Sequence, residues 1–252
     1  ANGADLPLAQ ADDTTTSAAI LTENSTVTIA DITFAVKTLK AYKYASYCVS
    51  SYELLEDSSI DVAGYLGTQL GERLARGSNA HFTNGDGSSK PTGAVNEAVT
   101  SVSGSTSGNV TYSKLVDLAH SVDPLHRASP SFAFQCSDGL LSEIRKVSDS
   151  QNRPIWNVSV ADNAPDLLLG YPININQDMT SSSTNTGTKI ILAGDFNKHV
   201  IRDVATIRLR RLDERLALAD QVGFVAFSRH DSVVLNSTVA NASKPIHALT
   251  TT

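Results

Sequence analysis

The sequence predicts an α+β fold on three observations. Apolar and polar residues alternate over residues 26–49. The pattern then switches to a four-residue repeat at Val62, Leu66, Leu70 and Leu74. Beyond that, strands and helices are interspersed without the regular βαβ rhythm of a dinucleotide fold. The chain has 252 residues, 41% hydrophobic and 18% charged, so it can bury a sizeable core in one domain or two small ones. No run approaches the roughly 18 apolar residues that cross a bilayer, and no basic-then-apolar signal segment opens the chain, so no membrane partner is expected. Cys48 and Cys136 lie far apart without CxxC spacing and are expected to be reduced structural thiols.

Charge is uneven along the chain. The first 36 residues carry Asp5, Asp12, Asp13, Glu23 and Asp31 and no Lys or Arg, although the whole chain has 20 basic and 26 acidic residues. Residues 1–18, rich in Ala, Asp and Thr, cannot build a core and read as an arm that orders against a partner, with a disordered tail as the alternative. Val27 and Ile29 continue out of phase as Ile32, Phe34 and Val36, which predicts a bend at Ala30-Asp31. A second strand is expected from Leu39 to Val49, so residues 19–48 read as an extended β-hairpin loop. A long helix over about 58–83 follows, capped by Asp57 or Ser58 and stopped by an αL exit at Asn84-Gly85. Its length is about 38 Å. Gly64, Gly67 and Gly71 form a small-residue face, which predicts close packing against another backbone.

Residues 86–111 should be a loop with short strands. Ser113 opens a short helix ending at Asp123-Pro124, Ser131 to Cys136 is a strand, and Ser137 caps a helix over 139–147. Leu167 to Ile175, Lys189 to Ala193, Lys198 to Leu209 and Val222 to Leu235 complete the strands. Nothing repeats internally.

Motifs for catalysis are missing. Gly85-Asp-Gly-Ser-Ser-Lys-Pro-Thr-Gly93 follows the long helix rather than opening one, so it reads as a turn and not a phosphate cradle. His120 and His126 straddle a helix end with poor ligand spacing, and Gly104-Ser-Thr-Ser-Gly108 has threonine where a nucleophile elbow needs serine. Neither catalytic residues nor metal nor other cofactors are expected. The N-x-[ST] sequons at Asn24, Asn109, Asn157, Asn236 and Asn241 fit chance in so Ser- and Thr-rich a chain. A net charge of −6 disfavours specific DNA binding.

Four segments in fixed order remain: Tyr52-Glu-Leu-Leu-Glu-Asp-Ser58, Asn84-Gly-Asp-Gly87, Leu167-Leu-Leu-Gly-Tyr-Pro-Ile173 with Asp178-Met179, and Ala193-Gly-Asp-Phe196. Together they resemble the major capsid protein of tailed double-stranded DNA bacteriophages, from about Thr26 to Leu235. The resemblance implies the HK97-like capsid fold, with an N-terminal arm (1–18), an extended loop (19–48) lying across a neighbour, a peripheral domain (49–122 and 196–230) around the spine helix, and an axial domain (123–195 and 231–252). It further implies a structural protein that assembles with itself as hexamers and pentamers into an icosahedral shell around the genome. Portal and decoration proteins would be partners, as would a scaffold segment and a maturation protease before processing. Met179 is the only methionine, so Ala1 is expected to arise from a maturation cut or from initiator removal. Candidate inter-subunit contacts are Asp5, Asp12, Asp13, Lys37, Lys40, Glu53, Glu56 and Asp57, together with the mixed-charge block Arg208, Arg210, Arg211, Asp213, Glu214 and Arg215, which otherwise reads as a solvated loop or helix start. Some family members join a loop-tip lysine to a neighbour's asparagine. Here the first lysine is Lys37, so no such cross-link is expected. Two other readings stay open: an encapsulin-type cellular compartment with the same fold, and a carbohydrate-binding or adhesin module.

Overall fold

The computed structural model describes residues 3–12, 18, 20–27, 32–105, 110–148, 151, 167–181, 187–236 and 243–251. The bend expected at Ala30-Asp31, Asp13, and the sequons at Asn109, Asn157 and Asn241 lie outside them. The chain forms two compact units. The first takes Ala1–Leu6, Leu39–Gly93 and Ile201–Val233, and the second takes Pro7–Thr38, Ala94–Val200 and Val234–Thr252. Residues 94–122, grouped by sequence with the long helix, thus share the core of the second unit.

In the first unit, β3 (Tyr42–Ser51) pairs antiparallel with β11 (Gln221–Val234), which pairs with β10 (Arg208–Leu212) and with β9 (His199–Asp203). The expected single strand over 198–209 is therefore two strands. Val204, whose N–H donates to Arg229 O, lies in the break between them. The expected long helix is also divided. Ser51 caps a short α1 (Tyr52–Asp57), and Asp61, not Asp57 or Ser58, caps α2 (Val62–Asn84) by accepting from Gly64 N–H. The Leu repeat does what its spacing requires: Leu70 and Leu74 bury against Val222, Phe224 and Ala226.

The helix exit differs from expectation as well. Gly85 is extended (φ −63°), not left-handed. Glycine is needed there because a Cβ would strike the Pro91 carbonyl. Among the described residues, the glycine face of α2 meets no backbone of another element. Gly67 faces only the Leu209 side chain at 3.6 Å, and nothing lies within 4 Å of a Cβ at Gly71. Tyr44 Oη, 2.9 Å from His81 Nδ1, ties the last turn of α2 to β3. Burial pushes the Tyr44 phenol up to about 12.

The second unit holds two sheets. β1 (Leu6–Asp12) pairs with β2 (Thr33–Leu39). This corrects two expectations: part of the supposed arm is ordered within its own chain, and β2 and β3 do not form a hairpin. The larger sheet has the order β4-β12-β8-β5-β7-β6, with β4 (Val99–Ser105), β5 (Phe132–Cys136), β6 (Leu167–Leu168), β7 (Tyr171–Ile175), β8 (Lys189–Asp195) and β12 (Ile246–Thr251). On one face α4 (Tyr112–Ser121) and α6 (Asp138–Arg145) pack Leu115, Leu118, Leu140, Leu141 and Ile144 against Phe132, Phe134 and Ile191. On the other, Ala94 of α3 (Ala94–Glu97) and Met179 pack with Leu192, Ile246 and Ala248. Both faces are covered, so β5 and β8 read as continuous apolar runs.

Asp123-Pro124 does more than end α4. Asp123 caps α5 (Pro124–Arg127), with Pro at its first turn. Leu169 and Gly170, both at positive φ, make the two-residue turn between β6 and β7. Lys189 Nζ donates to the Val95 and Ala98 carbonyls at 2.7 Å, fixing the exit of α3, and burial lowers its pKa. Cys136 is fully buried, its thiol pushed up to about 12, and Cys48 is half-buried; both are free.

Candidate assembly surfaces

The first unit's sheet has one covered and one open face, and strand pairing assigns each side chain. Helix α2 covers the face that carries Val222, Phe224 and Ala226. On the other face the register places Arg208 beside Phe227 and Ala45, Arg210 beside Val225 and Tyr47, and Leu212 beside Gly223 and Val49; Arg229 pairs with Lys43. Tyr47 and Val49 remain 43% and 41% exposed, and Lys43 Nζ lies 5.5 Å from the Phe227 ring centroid. Four cations thus rim an apolar strip, and none of the paired residues on that face is a carboxylate. The sequence reading missed Lys43, Tyr47, Phe227 and Arg229. Period-two alternation in residues 43–49 carried the signal, but only the pairing with β11 completes the surface.

The same alternation splits the charged block. Arg208 and Arg210 are exposed on the open face, whereas Arg211 and Leu209 point to the helix side. Arg211 Nε bonds Asp213 Oδ1 at 2.6 Å and its guanidinium lies 6.0 Å from the Tyr52 ring; the Asp213 bond makes Arg211 still more basic. Asp213, Glu214 and Arg215 continue into a 3-10 turn, Glu214–Ala219, and with Arg211 and Leu212 line a concavity of about 570 Å³. The block is a strand end and a 3-10 turn rather than a loop or a helix start.

The remaining candidates scatter. Asp5 is exposed, and the side chain of Asp12 and all of Asp13 lie outside the described residues. Glu53, Glu56 and Asp57 project from α1 into solvent. Lys37 is half-buried, 3.5 Å from Glu97. Lys40 is exposed, and its N–H donates to Asp231 Oδ2. Strand β2 exposes Phe34 (72%) and Val36 (65%), a large apolar surface for a two-stranded sheet.

Several of the described histidines have polar partners in the chain. His126 Nε2 meets Ser243 O at 3.2 Å, His120 contacts Arg127, and His247 Nε2 meets Lys244 O at 3.1 Å. His199 Nε2 is closed off from solvent without a hydrogen-bond partner among the described residues, and burial pulls its pKa down to about 4. Among the described residues no cluster of His, Cys, Asp and Glu could hold a metal ion, and no helix is long and apolar enough to cross a membrane.

A model of the phage capsid family matches residues 2–241. The chain belongs to the phage capsid family. It is a structural protein, the major capsid protein of an icosahedral bacteriophage shell, located in the virion, with further copies of itself as partners. Solved structures agree on the HK97-like capsid fold. The capsid of a native GTA particle matches with a TM-score of 0.82 at 23% identity, covering 100% of this chain and 86% of that one. Microbacterium phage Oxtober96 matches with a TM-score of 0.76 at 15% identity, covering 100% and 87%. Gordonia phage Cozz matches with a TM-score of 0.70 at 17% identity, covering 99% and 81%. No curated protein sequence matches. Family membership disfavours the cellular-compartment and adhesin readings. The four segments that carried the resemblance fall at α1, the α2 exit, the β6–β7 turn and the end of β8 in this capsid protein.

Proposed function

We propose that this capsid protein closes into hexamers and pentamers around a double-stranded DNA genome, with the open face of the β10–β11–β3 sheet and the β1–β2 ribbon as its main contact surfaces. The observation that carries this is the cationic, apolar face, left open by the described residues while the opposite face is packed by α2. A neighbour that covers it buries Tyr47, Val49 and Phe227 and pairs Arg208 and Arg210 with carboxylates, as an acidic segment would allow. Under this reading the first unit serves as the peripheral domain and the second as the axial domain. Asp5, Glu53, Glu56, Asp57, Asp213, Glu214 and Arg215 would be secondary contacts at the rim. The partners beyond itself would be a portal, decoration proteins, and a scaffold segment and maturation protease before processing, with assembly in the host cytoplasm.

Electron microscopy of the purified protein tests the reading. Closed shells with five- and six-fold capsomers are expected. Subunits that stay dispersed across salt and concentration would refute it.

A further inference from the structure

One side chain gathers both strand ends of the β1–β2 ribbon. Arg202, on β9, is only 8% exposed. Its Nη1 donates to Leu39 O at 2.7 Å and to Lys40 O at 3.3 Å, and its Nη2 donates to Ala4 O at 2.8 Å. Leu39 ends β2, Lys40 precedes β3, and Ala4 lies two residues before β1. Chain segments 35 residues apart therefore meet at one guanidinium, whose planar fork donates to separate carbonyl groups in fixed directions.

A second buried group completes the clamp. Asp231, 4% exposed, accepts the Lys40 N–H at Oδ2 and the Ser232 N–H at Oδ1. Lys40 thus has its carbonyl held by the cation and its N–H by the anion. Leu39, 1% exposed, is buried at the same junction. Further along the ribbon, Gln10 Oε1 accepts from Asn236 N–H at 2.7 Å and Lys37 faces Glu97, while Phe34 and Val36 stand in solvent. A two-stranded ribbon is marginal alone, so its stability depends on how its base is held.

We infer that Arg202 is the positioning residue at the base of the shell-building ribbon, holding Ala4 and Leu39-Lys40 together where β1 begins and β2 ends. The inference rests on the capsid reading for its consequence but not for its geometry. The replacement of Arg202 by Lys keeps the charge and removes the fork. Arg202→Met removes both, and Asp231→Asn weakens only the Lys40 side.

Amide hydrogen exchange on unassembled subunits, followed by shell yield, tests it. In Arg202→Lys and Arg202→Met, residues 3–12 and 32–40 should exchange about tenfold faster together, β8 and β12 should stay protected, and shell yield should fall. Asp231→Asn should loosen residues 38–41 more than 3–12. Unchanged exchange in either segment, an equal loss of protection in β8 and β12, or normal shell yield with a loosened ribbon would each overturn the positioning role. Should Arg202→Met fail to fold, Arg202→Lys carries the same comparison. Because the exchange step uses free subunits, failure of the clamp is told apart from failure of the wild-type chain to form shells.

Discussion

The six-stranded sheet and the β10–β11–β3 sheet are built from strands of similar chemistry but treat water in opposite ways. Every described residue of β12, and all of β8 except Lys189, is buried. Strand β3 instead alternates half-buried and exposed positions along most of its length, and no residue of β10 is buried. The first sheet is covered by helices and loops on both sides and completes itself. The second is covered by α2 on one side and leaves a cationic, apolar face on the other. A subunit that must be stable alone and sticky in company can divide these tasks between two sheets.

The sharpest way to break the comparison is to damage each sheet in turn. Phe134→Ala, in the closed sheet, should cost about 3–5 kcal/mol of subunit stability in denaturant unfolding. Tyr47→Ala, on the open face, should cost under about 1 kcal/mol and lower shell yield instead. Similar stability losses in both would erase the distinction.

Acid gives the next largest effect. His199 binds its proton near pH 4 when folded, against 6.5 in the unfolded chain. Between these values the unfolded state holds more protons, so the stabilisation is complete above pH 6.5 and is lost as pH falls to 4. The total is about 3 kcal/mol. His199→Gln should flatten that slope in chemical denaturation measured from pH 7 to 4; an unchanged slope would mean that other groups cause it.

Smaller still is the effect expected at Gly71, where a Cβ meets open space. Gly71→Ala should stabilise the free subunit by about 0.5–1 kcal/mol through helix propensity. A stabilised subunit that assembles poorly would place the glycine face at a neighbour's backbone, whereas normal shells would leave it as plain surface.

The α2 helix and the closed sheet were legible because burial writes periodicity directly: a leucine every fourth residue, and continuous apolar runs where both faces are covered. Strand partners were not. β2 and β3 are adjacent in sequence and read as one hairpin, yet β3 pairs with β11 about 180 residues away, and alternation names a face without naming a partner. The divided helix went unread because Ser51 and Asp61 each offer a cap and the sequence between them has no strong breaker. The arginine block was misjudged for a related reason. Read as a loop it looks like one charged cluster; as a strand, Arg210 and Arg211 must face opposite ways.

That split yields a small, specific prediction. Arg208→Glu with Arg210→Glu should leave subunit unfolding within about 0.5 kcal/mol of wild type while making assembly weaker and more salt-sensitive. Arg211→Glu, which loses the Asp213 bond, should disturb assembly less. Equal effects from both changes would return the block to a single surface. A denaturing gel of boiled shells should show one band near 26.7 kDa, because Lys37, the first lysine of the sequence, already faces Glu97. A ladder of reductant-resistant oligomers would refute that.

The most direct test of the division of labour is amide exchange compared between free subunits and assembled shells. Protection should rise on assembly in β3 and β10 and in residues 32–38, while β8 and β12 are already protected in the free subunit and change little. An equal rise in both sheets, or a rise confined to β8 and β12, would contradict the assignment of the open sheet face to assembly.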